Sequence, residues 1–299
     1  MPSIPLPKNS PRVRKTLALL AAATAVPLAL AGCMGNPKDP GAAGPIQVTS
    51  SPAVDAHLQG LLDTGTRQYS AFVVDQTDQL VTGTRASPAA KARGLYAATR
   101  MHWERIEPVA ESFGDLDPKL DAREADLEPG QEWTGWHRAE KDLFPPAGYT
   151  PLAPAERAAI ATQLVADTED LAQRTRTVEL SADKIGNGAK ELLDEVATGK
   201  VTGEEEIWSH TDLWDFQANI DGARTAFESL LPALQQKDPD LAEALEAKFA
   251  ALQAGLKQHS TGAGFAYYND LSQDQVQQLA SLVDALGEPL AKLTSAVAP

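Results

Sequence analysis

Cysteine occurs once in the 299 residues, as Cys33. A single thiol excludes an internal disulfide framework, so the fold must rest on its buried core. Basic residues are outnumbered, 26 against 41 acidic, giving a formal charge of −15. That balance disfavours nucleic acid and anionic lipid as partners and favours cations; an acidic surface also serves solubility. No run of alternating β-branched residues reads as a strand. No internal repeat aligns, and no apolar stretch after the first thirty residues is long enough to span a bilayer. The zinc-protease signature H-E-x-x-H is absent, and no two histidines stand four apart.

At the N-terminus, Lys8, Arg12, Arg14 and Lys15 precede an apolar run from Thr16 to Leu30. Its length suits the core of a signal peptide. Leu30-Ala31-Gly32-Cys33 follows and resembles the lipobox of bacterial lipoproteins, in which the chain is cut before the cysteine and the cysteine is lipidated. Residues 1–33 are therefore expected to be a lipoprotein signal ending in the lipid-bearing Cys33. Residues 34–50, rich in Gly, Pro and Ala, read as a flexible tether. Residues 51–299 read as the folded domain.

Within that domain helical periodicity dominates. Ser51-Pro52 and Ser87-Pro88 are helix starts, and the second helix is expected to continue to Phe113 with a kink at Pro108. A short helix should span Trp133 to Phe144, and a longer one Pro154 to Val178. Gly186-Asn187-Gly188 reads as a break. Thr202-Gly-Glu-Glu205 fits a capping box opening a helix that ends near Pro232, Asp238-Pro239 starts another, and Ser272-Gln-Asp-Gln275 caps the last. The expected class is all-α, with about eight helices in antiparallel bundles.

The candidate chemistry concentrates between Met101 and Glu140. Glu104 and Glu107 are three apart, as are His137 and Glu140, and residues three apart share a helix face. Asp121 lies between the two pairs; Glu204, Glu205, His210 and Asp212 follow later. Carboxylates suit hard cations, and an imidazole shifts preference toward first-row transition metals. The competing reading is a salt-bridge network in which Arg100, Arg105, Arg123 or Arg138 neutralises the acids.

The stretches M-H-W-E-R-I-E-P-V-A-E-S-F, D-A-R-E-A-D, G-W-H-R-A-E-K and T-G-E-E-E-I-W-S-H-T-D-L-W-D-F-Q-A-N-I-D-G, in this order, resemble the imelysin-like domain of the EfeO/EfeM bacterial iron-uptake proteins. The resemblance runs from Ser51 to the end. It implies an exported domain of two packed antiparallel four-helix bundles that binds iron, ferrous or ferric. Copper or zinc are the other ions its donors admit. It further implies Glu104, Glu107, Asp121, His137, Glu140 and Glu205 as metal ligands. The implied companions are a membrane iron permease and a haem-containing peroxidase of the dye-decolourising type. Longer family members carry an N-terminal cupredoxin domain, for which residues 34–50 leave no room. The expected function is capture of iron at the outer face of the cytoplasmic membrane and delivery to the permease. The alternative is a metal-dependent peptidase of the imelysin type, with His137 and Glu140 as ligand and base.

Overall fold

The computed structural model describes residues 52–86, 92–262 and 264–298. The leader, Cys33, the tether and the Ser87-Pro88 helix start lie outside them. The described chain is helical almost throughout. α1 (Pro52–Ala86) runs for 35 residues, and α2 (Ala92–Glu104) follows. Four short elements come next: a 3-10 turn over Glu107–Phe113, α3 (Leu116–Asp121), a second 3-10 turn over Glu124–Asp126, and α4 (Gly135–Leu143). The long helices then resume as α5 (Pro154–Arg174), α6 (Ala182–Thr198), α7 (Asp212–Lys237), α8 (Pro239–Lys257) and α9 (Gln273–Leu290), with a final turn, α10 (Leu293–Val297).

α6, α7, α8 and α9 close a ring in which each packs on the next and α9 returns to α6. Stacked Phe227 and Phe249, with Leu252, Val283 and Leu286, fill its interior. A second group, α1, α2 and α5 with the short α3 and α4, packs against α7 from the other side through α1 and α2. α7 therefore touches both groups. All of this belongs to one compact unit from Ser50 onward, and no described helix is long and apolar enough to cross a membrane.

Four local expectations need correction. The second helix does not kink through Pro108 but stops at Glu104. Pro108 has no N–H to give the carbonyl of Glu104, four residues earlier, and its ring would crowd that carbonyl; the chain turns at Arg105–Ile106, and Pro108 sits in the first turn of the 3-10 element. Thr202 does not cap a helix. Its hydroxyl donates to the Gly199 carbonyl, and residues 203–211 form an irregular strap ahead of α7. Gly186-Asn187-Gly188 does not break α6, because tertiary packing overrides propensity. A Cβ on Gly188 would lie 1.7 Å from the Pro108 carbonyl oxygen, and one on Gly222 of α7 would lie 2.3 Å from that of Arg105. Bare glycine backbone on both helices thus lets the turn that carries Glu107 press into the interior. Finally, Ser260–Thr261 and Gly264–Phe265 pair as a minimal antiparallel hairpin, β1 and β2. The capping box at Ser272 and the Asp238 cap form as expected.

Candidate metal centre

The six residues singled out in the sequence meet where α2, α3, α4, the Glu107 turn and the 203–211 strap converge on α7. Glu104 ends α2, Asp121 ends α3, and His137 and Glu140 share the inner face of α4. Glu104 and Glu107 do not share one α-helix, yet the turn at Arg105–Ile106 still brings their oxygens together. Glu205 comes from the strap rather than from a helix start. Glu104, His137 and Glu140 are fully buried, Glu205 nearly so, and Asp121 is the most accessible, its side chain 12 % exposed.

Two cations lie at the centre of this cluster, and neither reaches solvent. The Arg100 guanidinium, one turn before Glu104 on α2, forms ion pairs with Glu104 Oε1 (2.7 Å), Glu205 Oε1 (2.9 Å) and Glu206 Oε1 (2.7 Å), and contacts Asp121 Oδ1 and Asp215. Lys200 Nζ donates to Glu104 Oε2 at 2.7 Å and Glu107 Oε2 at 2.6 Å. Asn219 Nδ2 on α7 donates to the same two oxygens, at 2.9 and 2.7 Å. Of the arginines suspected from sequence, Arg105 pairs with Asp221 and Arg123 mainly with Asp126, reaching Glu205 only at 3.5 Å. Arg138 lies over the Trp133 ring.

His137 faces carboxylates on both ring nitrogens. Nδ1 is 3.4 Å from Glu140 Oε2 and 3.7 Å from Glu206 Oε1; Nε2 is 3.5 Å from Asp121 Oδ1 and 3.4 Å from Glu205 Oε1. Nε2 is buried and has no hydrogen-bond partner. Glu140 is fixed by the strap, its Oε1 accepting from the backbone N–H groups of Trp208 (2.9 Å) and Ser209 (2.7 Å). Glu206 accepts from Tyr96 OH (3.0 Å) and Ser209 Oγ (2.6 Å). Outside this knot, Lys141 lies over the rings of Trp133 and Trp208, 5.5 and 5.2 Å from their centroids, and ties α4 to the strap.

Carboxyl groups outnumber the fixed cations, and their acidities record it. Burial, then the neighbouring Glu140, pushes Glu206 up to about 8. Burial takes Asp212 up to about 6, and burial reinforced by Glu104 drives both Glu107 and Asp215 upward. Glu104 and Glu205 go the other way: burial opposes ionisation, but Lys200 with Arg100 for the first, and Lys200 with His137 for the second, hold them below the usual range. Burial and Arg100 oppose a charge on His137, yet the carboxylates that face its ring, Glu140, Glu205 and Asp121, raise it to about 10. The cluster thus keeps part of its surplus as protons, which a multivalent cation can replace.

Three donor sets each bring one atom per residue within 4.8 Å of the others: Asp121, His137 and Glu205; His137, Glu140 and Glu206; and Glu104, Glu107 and Asp121. All six sequence candidates fall in one or another. A cleft of about 780 Å³ reaches Glu107, Asp121 and Glu205 from solvent, past Asp117 and Glu195. Sequence reasoning missed Lys200, Glu206 and Asp215, while Glu204 points to solvent. Asp215 and Asn219 continue from Asp212 at turn spacing on the buried side of α7, a polar stripe that could have flagged them. A lone lysine after a helix end carries no such signal.

The described residues thus form an almost entirely helical domain that encloses a buried, acid-rich cluster around one histidine, open to a cleft and with donor atoms at the spacing of a cation's ligands. The chain belongs to the imelysin family: the family profile, peptidase M75, matches residues 56–293. It is 38 % identical over 242 residues to an Efem/EfeO family lipoprotein of Staphylococcus haemolyticus, covering 78 % of this chain and 83 % of that protein. It is 39 % identical over 275 residues to the iron uptake system component EfeO of Escherichia coli K12, covering 88 % of this chain and 71 % of the relative, and equally to that of Shigella flexneri.

Proposed function

We propose that this protein is an envelope lipoprotein that binds iron and passes it to a membrane permease. The observation that carries the reading is His137 Nε2, buried without a hydrogen-bond partner between Asp121 and Glu205 in a cluster with more carboxyl groups than cations. An imidazole placed among carboxylates offers the mixed donor set that first-row ions prefer. Asp121, His137 and Glu205 are the nearest ligands, Glu104 and Glu107 join them through Asp121, and Glu140 belongs to the neighbouring set on the Nδ1 side of His137. The names of the relatives support iron as the cargo, with copper or zinc as competitors for the same donors. Cys33 anchors the chain at the outer face of the cytoplasmic membrane, and the tether lets the domain reach a permease and a haem peroxidase of the same uptake system. The family's peptidase designation names the rival: hydrolysis with Glu140 as base. Against it, Glu140 already accepts two backbone hydrogen bonds and the ring of His137, so it is held in place rather than poised over an open position.

The test is anaerobic titration with ferrous iron, followed by calorimetry and thermal melting. Iron should raise the melting temperature saturably, since a ligand of the folded state stabilises it. The shift should shrink in His137→Ala and Glu205→Gln. A wild-type protein indifferent to iron, or peptide hydrolysis that disappears in Glu140→Gln, overturns the assignment.

A further inference from the structure

Glu104 Oε2 and Glu107 Oε2 point at one position, and that position holds an ammonium. Lys200 Nζ is 2.7 Å from the first and 2.6 Å from the second, and 4.0 Å from Glu205 Oε1. Oxygens of the Glu104, Glu107 and Asp121 carboxylates also lie within 4.8 Å of one another, the spacing of a cation's ligands. The side chain of Lys200 is wholly buried, its stem beside Val201, Phe216 and Leu279 and its charge turned inward rather than to solvent. A lysine placed this way loses hydration that only the carboxylates restore. It is therefore held there by the acids and has no independent hold of its own.

We propose that Lys200 is a built-in stand-in for the metal: its ammonium fills the Glu104–Glu107 position in the metal-free protein, and an incoming cation must displace it to gain those two carboxylates. The inference rests on the metal-binding reading above and concerns what the ion competes with. The segment carrying Lys200 is suited to the exchange. It is a single 3-10 turn, Lys200–Thr202, separated from α6 by Gly199 alone and closed by Gly203, with the Tyr268 hydroxyl donating to the Val201 carbonyl, so the backbone is held and only the Lys200 side chain has to move. The cleft reaches Glu107 directly, so an arriving ion meets the carboxylate that Lys200 holds. A bound proxy cation keeps Glu104 and Glu107 from repelling each other while the site waits. It also sets a threshold: monovalent ions bring no more charge than the ammonium already present, whereas di- and trivalent ions do.

The experiment compares Mn²⁺ binding in air and Fe²⁺ binding under argon for wild type, Lys200→Met, Lys200→Arg and Arg123→Met. Methionine keeps an unbranched apolar stem and removes the competing charge, so Lys200→Met should bind both ions at least tenfold more tightly. Lys200→Arg keeps a cation and should gain nothing. Arg123→Met removes one positive charge from the rim of the same cluster and measures the general electrostatic effect, expected at under threefold. Equal tightening in Lys200→Met and Arg123→Met, or no tightening in Lys200→Met, overturns the proposal while leaving the metal-binding reading intact. Failure of wild type to bind either ion removes both. If Lys200→Met does not fold, wild type decides: metal loading should increase acylation of the Lys200 amine by a water-soluble ester, read by peptide mass, and unchanged labelling overturns the exchange.

Discussion

Arg100 and Glu104 stand one turn apart on α2, Nη2 and Oε1 separated by 2.7 Å, and neither side chain touches solvent. The pair is unlike a surface i, i+4 bridge, which contributes a few tenths of a kcal/mol. Here the guanidinium is also shared with Glu205, Glu206, Asp121 and Asp215. Removing it leaves several buried carboxyls without their main counter-charge, and breaking a buried pair costs about 3–5 kcal/mol. Arg100→Met should lower the unfolding free energy of the metal-free protein, read from urea titration, by that order; Arg100→Lys should lose less, since it keeps the charge, but still some, since a point charge cannot span the fork's partners. A loss below about 1 kcal/mol in Arg100→Met, the size of a surface bridge, would show that the carboxyls are neutralised by protons alone.

Close packing of the Glu107 turn makes a contrasting pair of glycine substitutions informative. Alanine is the better helix former by about 1 kcal/mol. At Gly60 of α1 an added Cβ meets nothing within 4 Å, so Gly60→Ala should stabilise by roughly 0.5–1 kcal/mol. At Gly188 the same Cβ falls 1.7 Å from the Pro108 oxygen. The turn must move away, at a cost of about 1–3 kcal/mol for overpacking, and Glu107 moves with it. Gly188→Ala should therefore melt lower and bind iron more weakly, while Gly60→Ala binds as wild type does. Unchanged iron affinity in Gly188→Ala would show that Glu107 is dispensable.

Cys33 supplies an independent prediction about address. If the lipobox reading holds, cells expressing the full chain should incorporate a fatty-acid probe into the protein, and the mature form should partition into detergent. Cys33→Ala should abolish labelling and release the protein or leave it unprocessed. Labelling that persists in Cys33→Ala would mean that a residue other than Cys33 carries the lipid.

Much of the candidate site was legible in the sequence because its acids come in turn-spaced pairs. His137 and Glu140 needed only one short helix to share a face, and α4 provides it. Glu104 and Glu107 were placed together for the wrong reason: a continuous kinked helix was expected, while the structure uses a 3-10 turn seated against Gly188 and Gly222. Such seating is a long-range packing decision that no local pattern encodes. The strap failed similarly, since Thr202-Gly-Glu-Glu205 satisfies the capping pattern but its Glu205 is claimed by Arg100 and His137. Most hidden of all was Lys200. Sequence offers a reason to place a lysine near a helix C-terminus, where it suits the dipole, and none to bury it.

The acidities of the cluster predict how stability follows pH. Glu206 at about 8 and Asp212 at about 6 lie above the ordinary values of 4.5 and 3.8. The folded protein therefore binds protons there that the unfolded chain has released, and stability falls as pH rises through that window. His137, raised from 6.5 to about 10, acts in the same direction: its contribution is complete below 6.5 and lost as pH climbs to 10. Glu104, Glu140 and Glu205 are held low, and their contribution is present above the ordinary carboxylate range and lost as pH falls below it. The metal-free protein should be most stable near pH 5–6 and lose stability steadily toward pH 9. Iron reverses the slope, because it takes ionised carboxylates and a neutral imidazole and so binds better as protons leave. Melting temperature measured from pH 5 to 9 should accordingly fall without metal, and the increment added by saturating Mn²⁺ should grow across the same range. A metal-free curve that rises toward pH 9 would mean that the surplus carboxyls are not protonated in the folded state. An increment independent of pH would place the ion on groups other than these acids and His137.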